Sequence, residues 1–191
     1  AGSVLHRTRT RQIDKLGGLA KLMPWTAGLF LIAAVAISGL PPLNGFISEF
    51  FIYLGLFQTL TIPGSSGSIA IMAAPVLAMI GALAVACFVK VYGSVFLGFP
   101  RSEIPINTKE VPSSMIFPMI ILAAICLFIG LAPALVVPVL DKVIAPWLPE
   151  SSALTNTVNL ASLVPFSALQ LISVSLISIF SIMALDVCIQ K

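Results

Sequence analysis

Glu49 is the residue of this chain best placed to do chemistry, because it is an acid set inside an apolar run. Phe46, Ile47, Phe50 and Phe51 flank it in sequence. A charge at the centre of a bilayer costs at least about 2.5–3.5 kcal/mol, so an ionisable group in such a run is by default a functional candidate. Burial opposes its ionised form, whereas the positive end of a helix beginning just before it favours that form. Between these influences the carboxyl group could take up and release a proton. Tyr53 follows four residues on, on the same helical face, and could continue a hydrogen-bonded path. The competing reading is a permanently neutral acid that serves only as packing glue.

Lys90 is a second charge within an apolar run. Ala82, Ala86, Gly93 and Ser94 share its face, and small neighbours suit close packing or a narrow cavity. Lys90 also lies near the end of its run, where a lysine can simply extend to the interface; both readings stay open. His6, the only histidine, stands beside Arg7, Arg9 and Arg11. It fits a solvated residue at a helix end better than a proton relay, but it belongs among the candidates. Cys87, Cys126 and Cys188 are far apart, with no Cys-x-x-Cys or Cys/His spacing, so no metal site is expected. No nucleophile–base pair or phosphate loop suggests a catalytic site or a cofactor in this chain.

The elements that must hold these residues are membrane helices. Of 191 residues, 59% are hydrophobic and 9% charged, with a mean hydropathy of +1.11. A soluble domain carries about 25% charged residues, so this composition cannot cover a water-facing surface. Runs of about 20 apolar residues mark spans, and they fall at 25–60, 68–97, 113–140 and 164–185. Connections rich in Pro, Gly and Ser fall at 58–67, 98–112 and 141–163. The expected fold is therefore an all-α integral membrane unit over 1–191 with about four transmembrane helices. Eight of the ten lysines and arginines then lie on one side, which places the 7–21 and 98–112 loops in the cytoplasm; the membrane expected is the cell's inner (cytoplasmic) one. The basic residues do not alternate with aromatics, so a net charge of +3 does not point to nucleic acid. Trp25 and Trp147 sit at span ends, where aromatic rings meet headgroups. The segment before Lys21 lacks the apolar core of a cleavable signal.

The first run is too long for one crossing. Its 36 residues would make a rod of about 54 Å, against a hydrocarbon core of about 30 Å. Near its middle stands Ser38-Gly39-Leu40-Pro41-Pro42-Leu43-Asn44-Gly45. Two prolines remove two donors and drive the residues before them out of helical geometry. Asn44 is a good N-cap for a second half. The expectation is a discontinuous helix, 25–40 then 45–60, interrupted near Pro41-Pro42. Irregular backbone at membrane depth survives only when buried in protein or lining a wet cavity, and such breaks form ion sites in transporters. A plain proline kink is the alternative.

The segments Gly17-Gly18-Leu19-Ala20-Lys21-Leu22-Met23-Pro24 and Ala36 to Phe50 resemble the antiporter-like proton-translocating subunits of respiratory complex I, Mrp antiporters and membrane-bound hydrogenases. The wording is closest to the hydrogenase-4 component B and formate hydrogenlyase subunit 3 branch, which Phe88 to Gly93 and Phe96 to Ser102 also resemble. The resemblance covers residues 1 to about 102. It implies that Glu49 lies in a proton path and that the chain corresponds to the C-terminal part of a larger helix bundle. It also implies partners: an upstream half of the same subunit, other membrane-arm subunits, and soluble redox subunits of NADH dehydrogenase or hydrogenase type. The implied role is translocation of a proton or a sodium ion without catalysis in this chain. A non-pumping structural anchor and an Mrp-type sodium/proton antiporter component remain as alternatives.

Overall fold

Prolines mark the starts of three helices, at Pro24, Pro112 and Pro133. The computed structural model describes residues 2–59, 69–101, 110–144, 146, 169, 171–176 and 178, and among them every regular element is helical. In order these are α1 (Gly2–Thr8), a 3-10 turn (Ile13–Lys15), α2 (Leu19–Leu22), α3 (Pro24–Ile37), α4 (Asn44–Gln58), α5 (Ala73–Val95), α6 (Ser113–Leu131) and α7 (Pro133–Ile144). Pro24 opens α3 at a position where a missing N–H leaves nothing unpaired. Helical residues 69–71 precede α5 and lengthen that apolar rod to Ile69–Val95.

Two rods are long and apolar enough to cross a bilayer unaided, Ile69–Val95 with 27 residues and Ser113–Leu131 with 19. Only 6% of the apolar window of either is buried; Leu83, Val89, Phe117 and Leu122 are more than 60% exposed. A soluble protein hides its most apolar helices inside its core. Here they face outwards, an arrangement stable only against lipid or other helices. α3 and α4 are each shorter, with 14 and 15 residues.

One end of the bundle is strapped by main-chain bonds. The Gly18 N–H donates to the Leu97 carbonyl and the Ala20 N–H to that of Phe96, each at 3.0 Å. Leu16, Leu19, Ala27, Val95 and Phe96 form the buried cluster beneath, with Phe30 and Tyr92 against Phe96 at ring-centroid distances of 5.3 and 5.2 Å. The Glu110 side chain reaches the first turn of α3. The start of α3, the end of α5 and the start of α6 therefore share one end, the relation that alternating crossings require.

The run at 113–140 is not one helix. It breaks at Ala132 (φ −126°, ψ 55°), because Pro133 pushes its predecessor out of the α region and brings no N–H. The helix resumes as α7 and continues to Ile144, so Asp141 and Lys142, expected in a connection, belong to its last turns. Pro118 inside α6 causes no such interruption. The run at 68–97 matches α5 and its preceding residues. Leu60 and Trp147 lie outside the described residues, as does most of 164–185, where 171–176 are helical.

Candidate functional site

The interruption near Pro41-Pro42 is present. α3 ends at Ile37 and α4 begins at Asn44, and the 14 residues of α3 put the break about 21 Å from its start. Gly39 takes a left-handed conformation (φ 63°) and the Pro41–Pro42 peptide bond is cis. The loop satisfies its own donors. Ser38 N–H bonds Ala34 O at 3.1 Å, and Gly39, Leu40 and Leu43 N–H bond Ala36, Val35 and Leu40 O, each at 3.3 Å. The prolines have no N–H to place.

Asn44 is not the N-cap. That position falls to Leu43 (φ −95°, ψ 166°), with no side-chain cap, and Asn44 is already the first helical residue. Leu43 is 3% exposed: the chain leaves the double-proline turn extended with this side chain buried, so the cap falls one residue early, on a group with no acceptor. Asn44 instead lines a cavity of about 230 Å³ with Ser48, Pro133 and Val137, across which the first turns of α7 face the first half of α4.

Three close approaches fix the break. A Cβ on Gly45 would run into the Ala36 carbonyl oxygen, which ties the start of α4 to the end of α3. A Cβ on Gly130 would collide with the Pro42 carbonyl and come within 2.8 Å of Leu43 Cα. α6 thus begins beside the start of α3 and its last turn braces the interruption. The third approach concerns Glu49. A Cβ on Gly39 would lie 2.6 Å from Glu49 Cδ and Oε1, and its Oε2 is nearer still. The carboxyl group of the second half-helix is folded back onto the turn that separates the two halves.

Glu49 is partly buried, and no hydrogen bond or ion pair joins it to another described residue. Tyr53 lies one turn further on, also half-buried, without a hydrogen bond to it. Lys90 is exposed on α5 and unpaired among the described residues. The cleft of about 220 Å³ between α3 and α5 is lined by Ser38, Val89, Tyr92 and Gly93 but not by Lys90. His6 is exposed in the last turn of α1. The structure therefore brings the Glu49 carboxyl group to Gly39, in the turn that holds Pro41 and Pro42, and gathers neither Lys90 nor His6 there.

Sequence reasoning missed Glu110. Its Oε2 accepts the Trp25 N–H at 2.9 Å, and its Oε1 accepts the Thr26 hydroxyl at 2.6 Å and its neighbour Val111 N–H at 3.3 Å. Met23, in the cap position of α3, supplies no such acceptor. Arg7 donates to the Glu110 carbonyl oxygen, so α1, α3 and the start of α6 meet at this residue. A cap 84 residues away in sequence leaves no local signal.

A helical membrane protein that seats a carboxyl group at the break of an apolar helix is the class that this fold and site define. Residues 1–68 match the family described as NADH:quinone oxidoreductase/Mrp antiporter, transmembrane. The chain is 45% identical to hydrogenase-4 component B of Escherichia coli (strain K12) over 139 residues, 72% of this chain and 21% of that protein. It is 39% identical to formate hydrogenlyase subunit 3 of the same strain over 148 residues, 75% of this chain and 24% of that one. Against a Na(+)/H(+) antiporter subunit of Alkalihalophilus pseudofirmus it is 32% identical over 133 residues, 69% of this chain and 25% of the relative. The chain belongs to the antiporter-like membrane subunits of the complex I, Mrp antiporter and membrane-bound hydrogenase superfamily. It spans about a fifth to a quarter of the length of these relatives.

Proposed function

We propose that the chain is the part of a membrane-arm subunit that passes protons, with Glu49 as the group that loads and releases them, in a redox complex of hydrogenase or NADH dehydrogenase type. The observation that carries this reading is the Glu49 carboxyl group folded onto Gly39 at the interruption between α3 and α4. An acid on an unbroken apolar helix would face only packing; one at a break meets backbone that must be buried or wet. The relatives named after hydrogenase and formate hydrogenlyase favour a redox-driven complex, and the one named after sodium/proton exchange keeps sodium as the second ion.

The energetics fit. Moving one charge across the membrane costs about 2.3 kcal/mol per 100 mV. A tenfold change in proton affinity is about 1.4 kcal/mol, so a change of about fiftyfold balances 100 mV. The reading includes one transmembrane unit over 1–191 with four crossings, the first made by α3 and α4 together, and the 7–21 and 98–112 loops in the cytoplasm. It assigns the chain to the C-terminal part of its subunit, with the upstream half, other membrane subunits and soluble redox subunits as partners. Tyr53 extends the path along α4. Lys90 and His6 join it only if the upstream half brings a path to them.

The test is Glu49→Gln in the complete subunit within native membranes. Acidification of inverted vesicles is followed with formate, hydrogen and NADH as donors in turn, with and without sodium. Loss of acidification with the complex still assembled supports translocation through Glu49. Undiminished acidification would favour a non-pumping anchor, and sodium-dependent exchange without any donor an Mrp-type antiporter.

A further inference from the structure

We infer that Gly39 is the positioning residue for Glu49: its missing side chain is the seat that holds the carboxyl group at the break. The inference rests on the translocation reading above. Both features needed for a seat occur at this residue. The left-handed φ of 63° turns the chain away from α3, and the space where a Cβ would stand is filled by the Glu49 carboxyl group, with Cδ and Oε1 at 2.6 Å.

The grip is one of shape rather than hydrogen bonding. The N–H groups of Ser38, Gly39, Leu40 and Leu43 are all taken by main-chain carbonyls, and Pro41 and Pro42 have none. Glu49 in turn has no hydrogen-bond partner among the described residues. The loop itself cannot shift to make room. Gly45 is pressed against the Ala36 carbonyl on one side, and Gly130 of α6 against Pro42 and Leu43 on the other. One methyl group at position 39 therefore moves the carboxyl group, not the loop. Other titratable groups on the packed elements do not compete for the seat. α3 carries none, α6 carries Cys126, α5 carries Cys87, Lys90 and Tyr92, and α7 carries Asp141 and Lys142 in its last turns. None of them is bonded to Glu49.

The experiment compares Gly39→Ala with Gly98→Ala in the complete subunit in native membranes. Gly98 has a similar φ of 76°, but a Cβ added there would meet nothing within 4 Å, so it carries the same backbone penalty without the collision. Gly39→Ala should slow the initial rate of vesicle acidification about tenfold or more, since misplacing a reacting group by about 1 Å can cost a hundredfold. Gly98→Ala should not. Shortening the acid by one methylene frees the seat, so Gly39→Ala should cost much less in a Glu49→Asp background. An equal cost in both backgrounds, or no loss in Gly39→Ala, overturns the seat. If Gly39→Ala prevents assembly, recovery of the complex in Gly39→Ala/Glu49→Ala supports the collision, and no recovery refutes it. Normal pumping by Glu49→Gln sinks the translocation reading itself; loss there with normal pumping by Gly39→Ala sinks only the seat.

Discussion

Removing the Glu110 side chain should loosen the end of the bundle where α1, α3 and α6 meet. Its carboxylate accepts from Trp25 N–H at 2.9 Å and the Thr26 hydroxyl at 2.6 Å, and Thr26 is 3% exposed. Glu110→Ala leaves that hydroxyl buried without its acceptor, at about 1–3 kcal/mol for an orphaned polar group. It also uncaps α3, where loss of an N-cap costs about 0.5–2 kcal/mol. The two effects overlap, because both concern the same first turn, and partial access of water to Trp25 lowers the total. We expect about 2–3 kcal/mol. Thr26→Val, which keeps the shape and removes the donor, should cost about 1 kcal/mol. Once the carboxylate is gone, Thr26→Val should be neutral or stabilising, because it then removes an unpaired hydroxyl. The assay is a double-mutant cycle on the purified complex, scored by thermal inactivation in detergent at a fixed heating rate. Additive losses would refute the cap, since independent sites add and bonded ones do not.

Two further substitutions probe the packing around the break and the buried Ser173. Gly130→Ala puts a methyl group into Pro42 and Leu43 and should destabilise the complex by about 1–3 kcal/mol, the range for overpacking; an unchanged melting profile would show that α6 does not brace the loop. Ser173 is fully buried with its hydroxyl unpartnered among the described residues, so Ser173→Ala should be neutral or raise stability by about 1 kcal/mol. A clear loss on thermal challenge would mean that the hydroxyl bonds to a group outside the described residues.

The broken first run was legible in sequence because it followed from local rules: too many apolar residues for one crossing, and two prolines that cannot lie in a helix. The second break was not. Pro133 stands in a run with Pro118 and Pro138, and α6 and α7 tolerate the latter two without interruption. What distinguishes Ala132 is its place just after Gly130, whose close approach to the loop at 42–43 is a tertiary contact between segments far apart in the chain. Asn44 failed for a related reason. Cap preference is local, but the burial of Leu43 decided where the cap fell. Charge grouped the segment before α3 with the one after α5, and the bond from Gly18 to Leu97 joins those same segments. A membrane makes the end on which a connection lies a property of the whole connection, insensitive to a helix end moving by a few residues.

The pairing of these breaks bears on how the site can work. α6 starts where α3 starts, bonded through Glu110, and its last turn meets the loop between α3 and α4. The two interruptions, at 38–43 and at 132, thus face each other rather than lying at different depths. A lone break would be a hinge, free to bend under load. One clasped by a second element, with Gly45 and Gly130 leaving no slack, is a fixed notch. On the translocation reading the mobile part must then be smaller than a helix, and the Glu49 side chain, seated by shape and without a hydrogen bond to any described residue, is the group that can leave its place. That makes rotation of one carboxyl group the conformational step, and it predicts that a methyl group beside it matters more than any substitution that merely bends the surrounding helices.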